Sequence, residues 1–154
     1  MKDKTEKEMN SGKIAAVCIS AQKGTAKSPV EKCRLIAGEG IEGDGHISTI
    51  RPVSLLMAED IEKYNSSHEF QATPGDFAEN IVTSGIDLTK ASVGDRIKIG
   101  DSLLEVCQIG KEVLPQHYSF HGDRLLPTRG VFCKVISSGV IFAGNDIELQ
   151  KPCP

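Results

Sequence analysis

VGDRIKIGDSLLEVCQIG, from Val93 to Gly110, is the stretch whose reading sets the fold. Polar and apolar residues alternate through Asp95–Gly100, the two-residue period of a half-buried strand. Gly100-Asp101-Ser102 supplies a tight turn, and Leu103–Ile109 is its hairpin partner. The same signature recurs outward in both directions. Towards the C-terminus, Gly130–Ile136 (GVFCKVI) and Ile147–Leu149 read as strands, with a Ser-Ser-Gly turn between them. Towards the N-terminus, Ile14–Ile19 is a short β-rich run, Lys23–Pro29 a turn, and Val30–Ala37 a second strand. Gly38–Gly45 (GEGIEGDG) is a glycine-dense loop, and Val53–Met57 is a buried strand running into a short helix over Ala58–Tyr64. Pro74–Asn80 (PGDFAEN) breaks regular structure before a strand at Ile81–Thr83. This pattern predicts a mainly β protein, a closed or nearly closed β-barrel with one or two short helices.

The 154 residues suit a single domain. Residues 1–11 are almost all charged or polar and read as a mobile lead-in, with the domain over 12–151. At 39% hydrophobic and 25% charged residues, the composition is globular rather than disordered. A net charge of -3, 5% aromatics and no Trp exclude a nucleic-acid-coating role: there is neither a basic field nor a set of stacking platforms. No run of about 18 apolar residues exists to cross a membrane. The start has no apolar stretch of the signal-peptide kind. Five cysteines, an odd number without paired spacing, fit a reduced, cytoplasmic chain.

Three clusters could carry chemistry. In the first, Asp44 and His46 lie two apart, so an extended strand would turn both to one face, with Arg51 following. Gly40, Gly43 and Gly45 allow close backbone approach. The pair is either an acid–imidazole couple or a turn cap beside a backbone-bonded histidine. The second cluster, Asp76, Glu79 and Asn80, either binds at the barrel mouth or bonds its own Pro-Gly turn. The third holds Cys107, Lys111, His117, His121, Arg124, Arg129 and Cys133. Its cations suit an oxyanion. Its thiols are reactive only with access and a lowered pKa, and are otherwise inert core residues. Pro115, Gly122 and the lack of a Cys-x-x-Cys knuckle oppose a zinc site made from His117, His121 and the flanking cysteines. No Walker loop, dinucleotide-binding glycine motif or nucleophile elbow is present.

In this order, GEGIEGDGHISTIRPVSLL (38–56), PGDFAENIVTSGIDL (74–88), VGDRIKIGDSLLEVCQIGKE (93–112) and RGVFCKVISSGVIFAGNDIEL (129–149) resemble the MOSC family. The family is named for the C-terminal domain of molybdenum-cofactor sulfurases, and the likeness is to its short, standalone bacterial members. The resemblance implies a β-barrel that handles sulfur, molybdenum cofactor (molybdopterin) or both. A family cysteine carries a persulfide or, in amidoxime-reducing relatives, ligates molybdenum. That cysteine normally follows the segment matching Val106–Lys111. Here the text is Glu112-Val-Leu-Pro-Gln-His-Tyr118, and His117 falls where the thiol is expected.

Either Cys133 or Cys107 reaches the same pocket, or sulfur transfer has been lost. Cys133 is the first choice because Arg124 and Arg129 precede it, and His117 stands as substitute ligand or proton donor. The cofactor-binding set implied is Asp44, His46, Arg51, Asp76, Glu79, Asn80, Lys111, Arg124 and Arg129, with Arg51, Lys111 and Arg129 on phosphate. The function expected is binding of molybdenum cofactor or a precursor and help in sulfur or metal delivery. A cysteine desulfurase or a molybdoenzyme would be the partner. The alternatives are a molybdenum-dependent reductase of N-hydroxylated compounds and a non-catalytic anion-binding or structural domain. Pyridoxal phosphate belongs to a separate domain of the full sulfurase, so that label would reach this chain only by inheritance.

Overall fold

A computed structural model of the protein describes residues 10–152. Its elements are β1 (Ser11–Ile19), β2 (Ser28–Val30), β3 (Lys32–Ile36), β4 (Gly40–Ile41), β5 (Val53–Met57), α1 (Ala58–Ser67) and β6 (Ile81–Ser84). A 3-10 turn (Leu88–Lys90) leads to β7 (Arg96–Ile99), β8 (Ser102–Ile109), α2 (Leu125–Arg129), β9 (Val131–Ser137), β10 (Gly139–Phe142) and β11 (Asp146–Gln150). The lead-in expected over residues 1–11 lies outside the described residues up to Met9, and Ser11 already pairs with Glu148 in β1.

The strand order β11-β7-β8-β9-β5-β6-β1 closes on itself through pairing of β1 with β11, giving a seven-stranded barrel. The β7–β8 hairpin turns where the sequence places it, with Ile99 opposite Ser102. Closure leaves the barrel wall no unpaired edge. The expected strand over Val30–Ala37 is two strands, because the chain changes sheets at Glu31. Before it, β2 extends the barrel sheet from β1; after it, β3 joins β4 and β10 in a separate three-stranded sheet. β10, which the sequence pattern does not mark, starts at the glycine of the Ser-Ser-Gly turn and pairs with β3, Gly139 opposite Leu35.

Two apolar clusters divide along the barrel wall. Inward residues, among them Leu55, Ile97, Leu104, Val106, Val131 and Cys133, fill the barrel. Outward residues Leu56, Val82 and Phe132 pack with Ile61 and Tyr64 of α1 and Leu126 of α2. β5 is therefore covered on both faces, which explains why apolar residues stand on both of them, with Ser54 as the one polar member. β5 and β6 are parallel, with Leu55 opposite Ile81, and α1 forms the crossover between them. α1 opens with Glu59 and Asp60, the sign that suits a helix N-terminus, and runs three residues beyond the expected Tyr64.

Candidate functional site: a cationic cavity on the barrel wall

A cavity of about 880 Å3 lies against the outer face of β5, β8 and β9. Its rim comes from the loop holding His46 and Arg51, the turn at Phe77–Asn80, the segment at His117–Tyr118, and α2. Strand parity decides which predicted residues reach it. In β9, Val131, Cys133 and Val135 face the core, so Phe132 faces out. In β8, Leu104 and Val106 face in. A β-bulge between Val106 and Gln108 then leaves both Cys107 and Gln108 on the cavity side.

The two favoured thiols thus exchange places. Cys133 is fully buried, opposite Val53 and Val106, and desolvation drives its pKa well above the ordinary thiol value. Cys133 does not reach the cavity, which corrects its placement there. Cys107 lines the cavity and donates its S–H to the Phe132 carbonyl at 3.3 Å. Burial raises its pKa, and the nearby charges of Lys134 and Arg51 only partly oppose that.

Arg51 and Lys111 converge on one ring. The Arg51 guanidinium lies 5.9 Å and the Lys111 ammonium 5.5 Å from the Phe132 centroid. Arg51 Nη1 donates to Gln108 Oε1 at 2.6 Å. Desolvation, then the charge of Arg51, lowers the Lys111 pKa. Among the described residues, neither cation has a carboxylate partner, and no Asp or Glu lines the cavity.

Arg124 and Arg129, predicted beside them, are elsewhere. Arg124 donates from Nε and Nη2 to the His117 carbonyl and from Nη2 to that of Pro115, holding their loop. Arg129 pairs with Asp60 of α1 at 3.0 Å. Neither arginine lines the cavity.

Behind the rim is a buried polar network. Lys27 Nζ lies 2.7 Å from Asp44 Oδ1, with the two side chains 1% and 0% exposed. Asp44 also accepts from the Ser20 and His46 amides and from Asn80 Nδ2. Burial alone would raise the Asp44 pKa. Contacts with the His46 and Lys27 side chains and the charge of Lys27 outweigh it and hold the carboxyl well below the usual range. His46 lines the cavity, its Nδ1 3.4 Å from Lys27 Nζ and 3.6 Å from Asp44 Oδ2. The Asp44–His46 proximity comes from turns rather than from the extended strand expected.

Asn80 ties this network to the wall. Its Oδ1 accepts from the Ser54 amide and hydroxyl, and its Nδ2 donates to the Cys18 carbonyl. Glu79 points away from the cavity: it is fully buried, accepting from the Gly75 and Phe77 amides. Desolvation is the main cause raising its pKa to about 7. Asp76 caps its own turn by accepting from the Thr73 amide and hydroxyl.

Gly75 is required here, since at φ +94° a Cβ would stand 2.1 Å from the Lys27 carbonyl. Ser48 and Ala78, non-glycine residues at φ 66° and 69°, both line the cavity, where such backbone strain tends to concentrate.

Of the predicted set, His46, Arg51, Asn80, Cys107, Lys111 and His117 meet at the cavity. Sequence reasoning missed Lys27, whose buried partner is seventeen residues away. It also missed Phe132, whose outward parity was readable from VFCKV. Cys107, Cys133, His117 and His121 do not converge, and among the described residues no three His, Cys, Asp or Glu side chains could jointly hold a metal ion.

Residues 42–109 match the family model of the MOSC domain. The fold is shared with solved structures. The YuaD protein of Bacillus subtilis has a TM-score of 0.70 at 18% identity, covering 93% of this chain and 97% of that one. YiiM of Escherichia coli gives 0.66 at 22%, covering 92% and 71%, and YiiM of Geobacillus stearothermophilus 0.67 at 19%, covering 92% and 75%. No curated protein matches the chain. Among the described residues, no helix is long and apolar enough to cross a membrane.

Proposed function

We propose that the cavity binds molybdenum cofactor or a molybdopterin precursor and that the protein assists sulfur or metal delivery, with Cys107 as the working thiol. The observation that carries this is the pairing of two cations, Arg51 and Lys111, to which the described residues offer no carboxylate partner, in a cavity that also holds a thiol. Phosphate is the natural counter-charge for such a pair. Phe77, Leu126 and Pro127 add apolar surface for the body of a ligand. The donor set therefore fits a phosphate-bearing pterin. When bound, the cofactor would supply redox-active metal chemistry; the chain supplies charge neutralisation and a soft sulfur donor.

Sulfur carriage at this site has a simple balance. The Cys107 thiolate attacks the outer sulfur of a persulfide on a cysteine desulfurase. A new S–S bond forms at Cys107 as the donor's S–S bond breaks, and the donor cysteine leaves as thiolate. The raised pKa of Cys107 makes a neighbouring cation or a more alkaline medium necessary for a useful thiolate fraction.

The test combines persulfide mapping by mass spectrometry with calorimetry of a molybdopterin-type ligand. One added sulfur on Cys107, absent in Cys107→Ser, supports delivery. Arg51→Ala or Lys111→Ala should each weaken ligand binding by about 1.5–3 kcal/mol, whereas Arg129→Ala should leave it unchanged. An adduct on another cysteine, or equal affinity in all three variants, would overturn the assignment.

A further inference from the structure

An ammonium has hydrogens to give and no site to accept one, so the bonds of a buried lysine can be counted. Among the described residues, Lys27 Nζ has two polar partners: Asp44 Oδ1 at 2.7 Å and His46 Nδ1 at 3.4 Å. Asp44 is already in demand. Its Oδ1 also accepts from the Ser20 amide and from Asn80 Nδ2, and its Oδ2 from the His46 amide. Nδ1 is therefore the acceptor left for a second Lys27 hydrogen, in a place where an unmet donor is costly. A ring nitrogen accepts only when it carries no hydrogen, so in neutral His46 the hydrogen sits on Nε2. The opposite form would set Nδ1–H against the ammonium, in exchange for a carboxylate oxygen 3.6 Å away. Among the described residues Nε2 has no partner, and the ring, 35% exposed, lines the cavity.

We infer that Lys27 is a positioning residue: it holds His46 with its hydrogen on Nε2, so the cavity meets this histidine as a hydrogen-bond donor and not as a base. The nearness of Asp44 in sequence suggests the reverse, a carboxylate that takes Nδ1–H and leaves Nε2 to receive a proton. The ammonium bonded to both residues cancels that arrangement. A ligand therefore sets an acceptor against His46, such as a carbonyl oxygen or a bare ring nitrogen. Cys107, on the same cavity, gains no proton acceptor from this ring. The donor role rests on the cavity being a ligand site, as proposed above; the placement of the hydrogen does not.

His68 supplies an internal contrast. Its Nδ1 lies 2.8 Å from the Tyr64 carbonyl, which can only accept, so there the hydrogen is on Nδ1 and Nε2 is bare. The two side chains are similarly exposed, 35% for His46 and 40% for His68. Two measurements on the full chain, with no ligand present and at about pH 8, above the ordinary imidazole range, test the inference. Side-chain 15N NMR should show the Nε2–H form for His46, the Nδ1–H form for His68, and a scalar coupling across the hydrogen bond between Lys27 Nζ and His46 Nδ1. Diethyl pyrocarbonate acylates a ring nitrogen that bears no hydrogen. Peptide mapping should find His46 modified about tenfold more slowly than His68, because the bond to the ammonium must break first. Lys27→Met should bring His46 up to the His68 rate, since Asp44 then takes Nδ1–H and Nε2 is left bare; both wild-type measurements stand if that variant does not fold. An Nδ1–H form in wild-type His46, or acylation as fast as that of His68, overturns the inference and leaves the cavity reading intact. Failure of the ligand to bind in calorimetry overturns that reading and leaves the hydrogen of His46 where these measurements find it.

Discussion

Cys133 and Val106 face each other across β8 and β9 with both side chains in the barrel core, while the next residue of β8, Cys107, turns out to the cavity. One residue of register separates an inert thiol from an accessible one. Alkylation of the folded protein should modify Cys107 before Cys18, Cys33 or Cys133, which are buried. Because the Cys107 pKa is raised, its rate should keep climbing with pH beyond the ordinary thiol value of 9.0. Cys133→Ser should leave that labelling intact but destabilise the fold by about 1–3 kcal/mol, by placing a hydroxyl in an apolar core. Peptide mapping after brief alkylation, with urea unfolding of the variant, checks both.

The Lys27–Asp44 pair should behave as a buried unit. Lys27→Met strands a buried carboxylate and should cost about 3–5 kcal/mol, whereas Lys27→Met with Asp44→Leu should recover much of that loss. The folded Asp44 pKa lies below its unfolded value, so its contribution is fully present above the unfolded pKa. It is lost as pH falls through the folded one. Urea midpoints across the acid range should show this decline in the wild type and not in the double variant.

Glu79 has the opposite sign. Its folded pKa of about 7 exceeds the ordinary 4.5, so its favourable contribution is complete below 4.5 and disappears as pH rises through 7. A shift of that size corresponds to about 3 kcal/mol. Wild-type stability should therefore fall between these pH values relative to Glu79→Gln, which cannot ionise. Parallel unfolding curves for the two proteins over that range would remove Glu79 as the source.

The barrel was legible because its strands announce themselves by alternation and by Gly-rich turns, as Arg96–Ile99 and Ser102–Ile109 do most clearly. The same alternation held the answer to the cysteines. In VFCKV the thiol falls on the valine face, and in LEVCQ it falls opposite the leucine and valine. Strand parity, not the nearness of Arg124 and Arg129 in sequence, decides where the Cys133 thiol lies. α2 was hidden by its shortness, five residues with Pro127 among them. Lys27 sits in a turn-like KGTAKSP, where no local pattern signals that its ammonium will be buried. Nor does the sequence show that Arg124 and Arg129 are already engaged, by loop carbonyls and by Asp60 respectively.

The Ser54–Asn80 bonds also bear on when the cavity comes into being during folding. They join the start of β5 to the residue before β6, so both ends of the α1 crossover must be in place before that wall exists. Parallel strands joined through a helix are long-range contacts, which form slowly compared with a hairpin such as β7–β8. An intermediate with the hairpin but without the crossover would lack the binding wall altogether. A ligand confined to the completed wall would slow unfolding and raise the folded population by mass action, without hastening the search that precedes it.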